Sequence, residues 1–144
     1  MLQPVVIDGI RTPIGKLNGA MKDIQPEEIA AFLLQKICER SHLDIRLLDA
    51  VILGQAKQSS DQPNIARLAA LMTKFPLEVQ AYTVHRQCGS GMQAVQNAAQ
   101  EIMCGYADFV LAGGIESMSN AQYYLREARR GYAVGNGILL DPNT

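Results

Sequence analysis

A cysteine flanked by glycines stands between a strand-like run and a helix-like run, in Thr83-Val84-His85-Arg86-Gln87-Cys88-Gly89-Ser90-Gly91-Met92-Gln93-Ala94. A thiol at a helix N-terminus meets unpaired backbone N–H groups and the positive end of the helix dipole, and both favour the nucleophilic thiolate. Gly89 and Gly91 leave room for a substrate to approach the sulfur, and backbone N–H groups there are candidates to donate to a developing oxyanion. These are the parts that nucleophilic acyl transfer requires. Free cysteines are otherwise small buried hydrophobes. That is the reading for Cys38 and Cys104, which fall inside helical patterns. For Cys88 the residue chemistry leaves both readings standing.

The same residues admit a rival. Gly89-Ser90-Gly91-Met92-Gln93-Ala94 fits G-x-G-x-x-A between a strand and a helix, and Glu116 closes the next strand where a dinucleotide fold puts its ribose-binding acid. The pattern is weak, because small residues are common at helix starts. It also misses the first strand-to-helix turn of the chain, where that fingerprint belongs. Three widely spaced cysteines without a C-x-x-C pair, and two histidines in all, argue against a metal centre and for reduced thiols.

Strands and helices alternate around this segment. Val5 to Ile7 is a short apolar run of the kind that forms a strand covered on both faces. Pro26-Glu27-Glu28 opens a helix, since proline suits its first turn and acids suit its dipole, and Ile29, Leu33 and Ile37 give that helix an apolar stripe. Asp49 to Leu53 reads as a second strand, closed by Gly54. A short helix over Asn64 to Met72 follows, then a turn at Pro76 and a third strand from Val79 to Val84. Ser90 to Cys104 is a helix with Gly105 as its stop, and Ala107 to Ile115 is a fourth strand. This βαβαβαβ order predicts a layered α/β domain. From Asn120 onward the character changes: two tyrosines, the basic cluster Arg126, Arg129 and Arg130, then Gly131, Gly135 and Gly137.

Bulk properties narrow the function classes. With 144 residues, 48% hydrophobic and 19% charged, the chain fits one globular domain. A net charge of -1 gives no electrostatic case for nucleic acid or an anionic membrane surface. No apolar run approaches the ~18 residues of a membrane helix, and the start lacks the basic and hydrophobic regions of a leader. The expectation is a cytoplasmic protein.

Four segments, in order, resemble the thiolase family from about residue 3 to the end. Arg11-Thr12-Pro13-Ile14-Gly15-Lys16 is similar to its opening signature, and Asn64-Ile65-Ala66-Arg67 to its N-x-A-R segment. Cys88-Gly89-Ser90-Gly91-Met92-Gln93-Ala94-Val95 resembles its nucleophile motif, and Gly113-Gly114-Ile115-Glu116-Ser117-Met118-Ser119 its G-G-[MI]-E-S-M-S signature. The resemblance implies a thiolase-like layered α/β/α N-terminal domain with a mixed sheet, incomplete because its last strand follows an inserted loop domain. Residues 1–119 would be that domain, and 120–144 the start of the insertion. It further implies an acetyl-CoA C-acyltransferase that makes or cleaves 3-ketoacyl-CoA through an acyl group on Cys88, placing the chain in fatty acid metabolism. Coenzyme A would be substrate, with no cofactor and no metal.

Two departures qualify this. Where the family usually has asparagine, this chain has His85, which either tunes the site or replaces the asparagine structurally. The family's G-H-P and C-x-G motifs, which carry its activating histidine and second catalytic cysteine, are missing. A truncated or split chain, inactive alone, is therefore expected. Its partners would be acyl-CoA, CoA, and either further copies or a C-terminal thiolase half. The strand before the nucleophile helps form a tight dimer in the family, so an oligomer is expected. Arg126, Arg129 and Arg130 are candidates for CoA phosphates; a solvated face or an oligomer contact would use the same residues. Alternatives are a ketoacyl-synthase-type condensing enzyme and a non-catalytic acyl-CoA-binding or assembly subunit. Acyl chain length and direction stay open.

Overall fold

A computed structural model describes residues 2–143. Helix α1, Pro26–Ser41, starts where proline and two acids predicted, and the Glu28 carboxylate accepts the Gln25 N–H at 2.9 Å. Its most buried row is Ala30, Leu34 and Cys38, with Ile29 and Ala31 beside it. Leu33 and Ile37 of the expected stripe are only half-buried. The buried face is shifted by about one residue, and its Ala30, Ala31 and Leu34 join Ile65, Ala66, Ala69 and Ala70 of α2, Ile65–Met72, in one core cluster. Helix α3, Ser90–Cys104, ends at Gly105 in the left-handed conformation, as its sequence indicated.

The main sheet has three strands in the order β2-β1-β3: β1 Ala50–Gly54, β2 Gln80–Val84 and β3 Val110–Gly114. Both pairings are parallel, Ala50 standing beside Gln80 on one side and Val110 on the other. The mixed pairing expected of this sheet is not present among the described strands. An antiparallel pair, β4 Tyr124–Leu125 with β5 Leu139–Leu140, forms apart from it.

All five residues of β1 are buried, and its alternation divides the core. Val51 and Leu53 pack with α1 and α2, whereas Ile52 packs with Ala94 and Ala98 of α3. Three layers result, α1 and α2 on one face and α3 on the other. Completely burying Val51 and Ile52 stabilises the fold by about 1.5–3 kcal/mol each.

Val5 to Ile7 corrects the sequence reading. The segment forms no strand and is exposed, Val6 by 85%. Apolar content predicted burial, but a strand also needs a neighbour to accept its hydrogen bonds. β1 is already flanked on both sides, and the segment joins neither sheet edge. It is fastened instead by Asp8 and the Gly9 carbonyl, which both accept from the Arg40 guanidinium at the end of α1.

Candidate active site

Three glycines determine how closely α3 sits on the carboxyl ends of the strands. A Cβ on Gly54, the last residue of β1, would lie 2.2 Å from the Ser90 carbonyl carbon. One on Gly114, the last residue of β3, would lie 3.0 Å from Gly91 Cα. No side chain fits in these gaps, so the first turn of α3 rests directly on backbone. Beyond the strands the ladder continues, through Gln55 N–H to the Val84 carbonyl at 3.1 Å and Ile115 N–H to the Gly54 carbonyl at 3.0 Å.

Cys88 is exposed and immediately precedes Gly89, the N-cap of α3. The turn that presents it is tightly bonded. Gly89 N–H donates to the Arg86 carbonyl and Ser90 N–H to the Gln87 carbonyl, each at 3.0 Å. Gln87 has φ 48°, a left-handed conformation costly for a residue with a side chain. Of the N–H groups offered as oxyanion donors, that of Gly89 is thus engaged inside the turn. The other two thiols differ from Cys88 and from each other. Cys38 is buried, and that burial, with the nearby Glu39 charge second, pushes its thiol pKa up. Cys104 is exposed, contrary to the buried reading, because it lies in the last turn of α3 beyond the packed Ala94 and Ala98.

Ahead of this turn in the chain, His85 borders an open groove of about 440 Å³, which Cys88 does not line. It is lined by Ala56 to Ser60 from the loop after β1, by His85, by Ala121 to Tyr124, and by Pro142. The groove therefore lies at the carboxyl ends of the parallel strands, where α/β sheets bind ligands. His85 is exposed and contributes to the wall. The loop after β1 is fastened across the groove. Ala56 and Lys57 N–H both donate to the Glu116 carboxylate, at 2.8 and 3.0 Å, and the Lys57 ammonium donates to the Pro142 carbonyl. Glu116 is thus a clamp between two loops, with its carboxylate occupied, and the dinucleotide reading gains nothing from it.

The expected arginines are not brought to this groove. Arg126 lies over the Tyr124 ring, 6.0 Å from its centroid, and Arg130 pairs with Glu127 at 3.2 Å. Arg129 is exposed, and none of the three lines the groove. Sequence reasoning missed Lys57, Ser59, Ser60, Gln122, Tyr123 and Tyr124 as wall residues. Their only signal was a polar run between a strand and a helix, since the groove is assembled from loops far apart in the chain.

Two of the motifs turn out to hold the scaffold. Asn64 caps α2, accepting from Arg67 N–H at 3.1 Å and the Thr83 hydroxyl at 2.9 Å, while its amide donates to the Ala81 carbonyl at 3.0 Å. The Arg67 guanidinium donates to the Val79 and Leu77 carbonyls at 2.7 and 3.1 Å. Together they tie α2 to β2, the strand that delivers Cys88. Arg11 to Lys16 is a surface loop, and beyond it Asn18 N–H donates to Ser119 Oγ at 2.9 Å.

Known proteins place this architecture. The family model described as thiolase, N-terminal domain, matches residues 4–142. A probable acetyl-CoA acyltransferase of Staphylococcus epidermidis is 40% identical over 98% of this chain and 36% of its own length. The 3-oxoadipyl-CoA/3-oxo-5,6-dehydrosuberyl-CoA thiolase of Escherichia coli is 39% identical over 92% of this chain and 34% of its own. A crystal structure of the Bacillus anthracis acetyl-CoA acetyltransferase superposes with a TM-score of 0.87 at 42% identity, over 90% of this chain and 33% of that one. The chain spans about a third of the length of the curated relatives it matches. In sequence and in fold, the chain belongs to the thiolase family and carries that family's N-terminal domain.

Proposed function

We propose that this chain supplies the nucleophile of a thiolase-type acyltransferase, with Cys88 as the acyl carrier. One observation carries the reading: an exposed thiol on a bonded turn at the start of α3, whose first turn rests on the carboxyl ends of the parallel strands. In the cleaving direction, Cys88 thiolate adds to the 3-keto carbonyl of a 3-ketoacyl-CoA. The bond between the second and third carbons breaks, its electron pair remains on the second carbon, and a proton added there yields acetyl-CoA. The acyl group, now a thioester on sulfur, passes to the thiolate of a second CoA, and Cys88 leaves as thiolate. Splitting the reaction this way divides it into a carbon–carbon cleavage that leaves the acyl group as a thioester on Cys88 and a thioester exchange that passes it to CoA. Residues 120–144, which hold the separate β4–β5 pair, are proposed as the opening of an inserted region on the 1–119 domain.

Proton transfer at the second carbon contributes about 10²- to 10⁴-fold in typical enzymes. Each oxyanion donor contributes a further ~10²- to 10³-fold. Among the described residues no histidine hydrogen-bonds to Cys88, and the Gly89 and Ser90 N–H groups are engaged inside the turn. The polypeptide of residues 1–144 is therefore expected to accept an acyl group slowly and to turn over negligibly. The test is incubation with acetyl-CoA followed by peptide mass spectrometry. An acetyl group should accumulate on Cys88, disappear in Cys88→Ala, and spare Cys38. Acetylation spread equally over Cys88, Cys104 and surface lysines would remove the basis for the assignment. Rapid Cys88-dependent cleavage of acetoacetyl-CoA would show that the residues present suffice, with His85 the first acid/base to replace.

A further inference from the structure

Ser90 is 4% exposed, yet its hydroxyl is fully engaged. It donates to the Gln87 carbonyl at 2.6 Å and accepts the Arg86 N–H at 2.8 Å. Two groups on the incoming side of the turn, from the consecutive residues Arg86 and Gln87, are thus gathered by one buried oxygen, and Cys88 lies in the chain between Ser90 and the residues it grips. The Gln87 carbonyl receives a second bond from Ser90 N–H at 3.0 Å, which holds Gln87 at its left-handed φ of 48°. From below, the Ser90 backbone is packed on Gly54 so closely that no Cβ fits between them. The chain of support runs from the buried strand β1, through Gly54 and Ser90, to the backbone of Arg86 and Gln87 just ahead of the thiol.

We infer that Ser90 is a positioning residue for Cys88: its hydroxyl clasps the turn in the one conformation that holds the sulfur out at the start of α3. The inference rests on Cys88 being the acyl carrier. It adds that the orientation of this thiol is set by a buried hydroxyl rather than by Gly89 and Gly91, the two glycines that follow it. Ala in place of Ser90 removes both side-chain bonds while leaving Cβ, helix and packing in place. The turn can then relax its left-handed residue, and the sulfur spreads over several orientations. A bond of this kind is worth up to about tenfold in an equilibrium.

The experiment measures iodoacetamide modification of each cysteine at neutral pH by peptide mass spectrometry, in the unaltered chain, Ser90→Ala and Ser90→Thr. Exposed Cys104, at the far end of α3, is the internal standard. The Cys88 to Cys104 rate ratio should fall about tenfold in Ser90→Ala and recover to within about threefold in Ser90→Thr, which keeps the hydroxyl. A ratio unchanged in Ser90→Ala, with circular dichroism intact, overturns the clasp. So does an equal loss in Ser90→Thr with the fold intact. The nucleophile reading fails separately, if Cys88 in the unaltered chain takes no acetyl group from acetyl-CoA. Hydrogen exchange on the unaltered chain needs no variant to fold. The Arg86 amide, in an exposed residue, should exchange at least about tenfold more slowly than an unbonded amide, and free exchange there would sink the proposal.

Discussion

At the scale of single residues, the site depends on what is absent from Gly54 as much as on what Cys88 carries. A methyl group at Gly54 would meet backbone atoms of Ser90 and Gly91 at 2.2 to 2.4 Å, and backbone cannot rotate away as a side chain can. Gly54→Ala must therefore lift the start of α3 off the sheet. Overpacking of this kind costs about 3 kcal/mol. Denaturant titration should show that loss, with a fall in Cys88 reactivity in whatever folded fraction survives; an unchanged midpoint would contradict the seating described here. His42 offers the opposite case. It terminates α1 with φ 52°, a conformation that suits glycine, while its N–H still bonds to the carbonyls of the last turn. His42→Gly removes the side-chain strain without removing those bonds, and should stabilise the chain by about 1 kcal/mol. The check is the thermal midpoint, which should rise by roughly 3 °C.

At the scale of elements, the motif around Asn64 is a joint. Its side chain caps α2 and holds two residues of β2. Asn64→Ala should cost about 2 kcal/mol, more than an ordinary cap, because strand contacts are lost with it. A loss of only a few tenths, read from chemical denaturation, would mean that the α2–β2 contact is held elsewhere. Elements were the most legible part of the sequence. The three helices and the three paired strands were predicted within a few residues, since proline, glycine and acid positions mark their ends. The exposed place of Cys88 at the start of α3 was legible because a strand-like run, a cysteine and a glycine-rich helix start follow one another in the chain. The groove was not, because its walls come from loops whose meeting depends on tertiary contacts such as Glu116 with Ala56 and Lys57. Val5 to Ile7 misled for a related reason: apolar composition reports a wish for burial but not whether a hydrogen-bonding partner is present. Cys104 misled because helical periodicity gives the face a residue occupies, not how far along the helix the packing extends.

At the scale of the whole molecule, the sheet ends on two open edges, β2 and β3. An unpaired edge presents a row of N–H and C=O groups to any other chain. No helix among the described residues is long and apolar enough to cross a membrane. We propose that copies associate through the β2 edge, giving a dimer or larger assembly at micromolar concentration in sedimentation velocity; a clean monomer would count against it. The exposed Val5 to Ile7 segment has a consequence for handling the protein. A net charge of -1 leaves little mutual repulsion between molecules near neutral pH. The colloidal shelf life of this chain should thus be short just above its isoelectric point of about 6.1 and lengthen in alkaline buffer. Precipitation will be governed by that bare tripeptide and the open edges rather than by unfolding of the core.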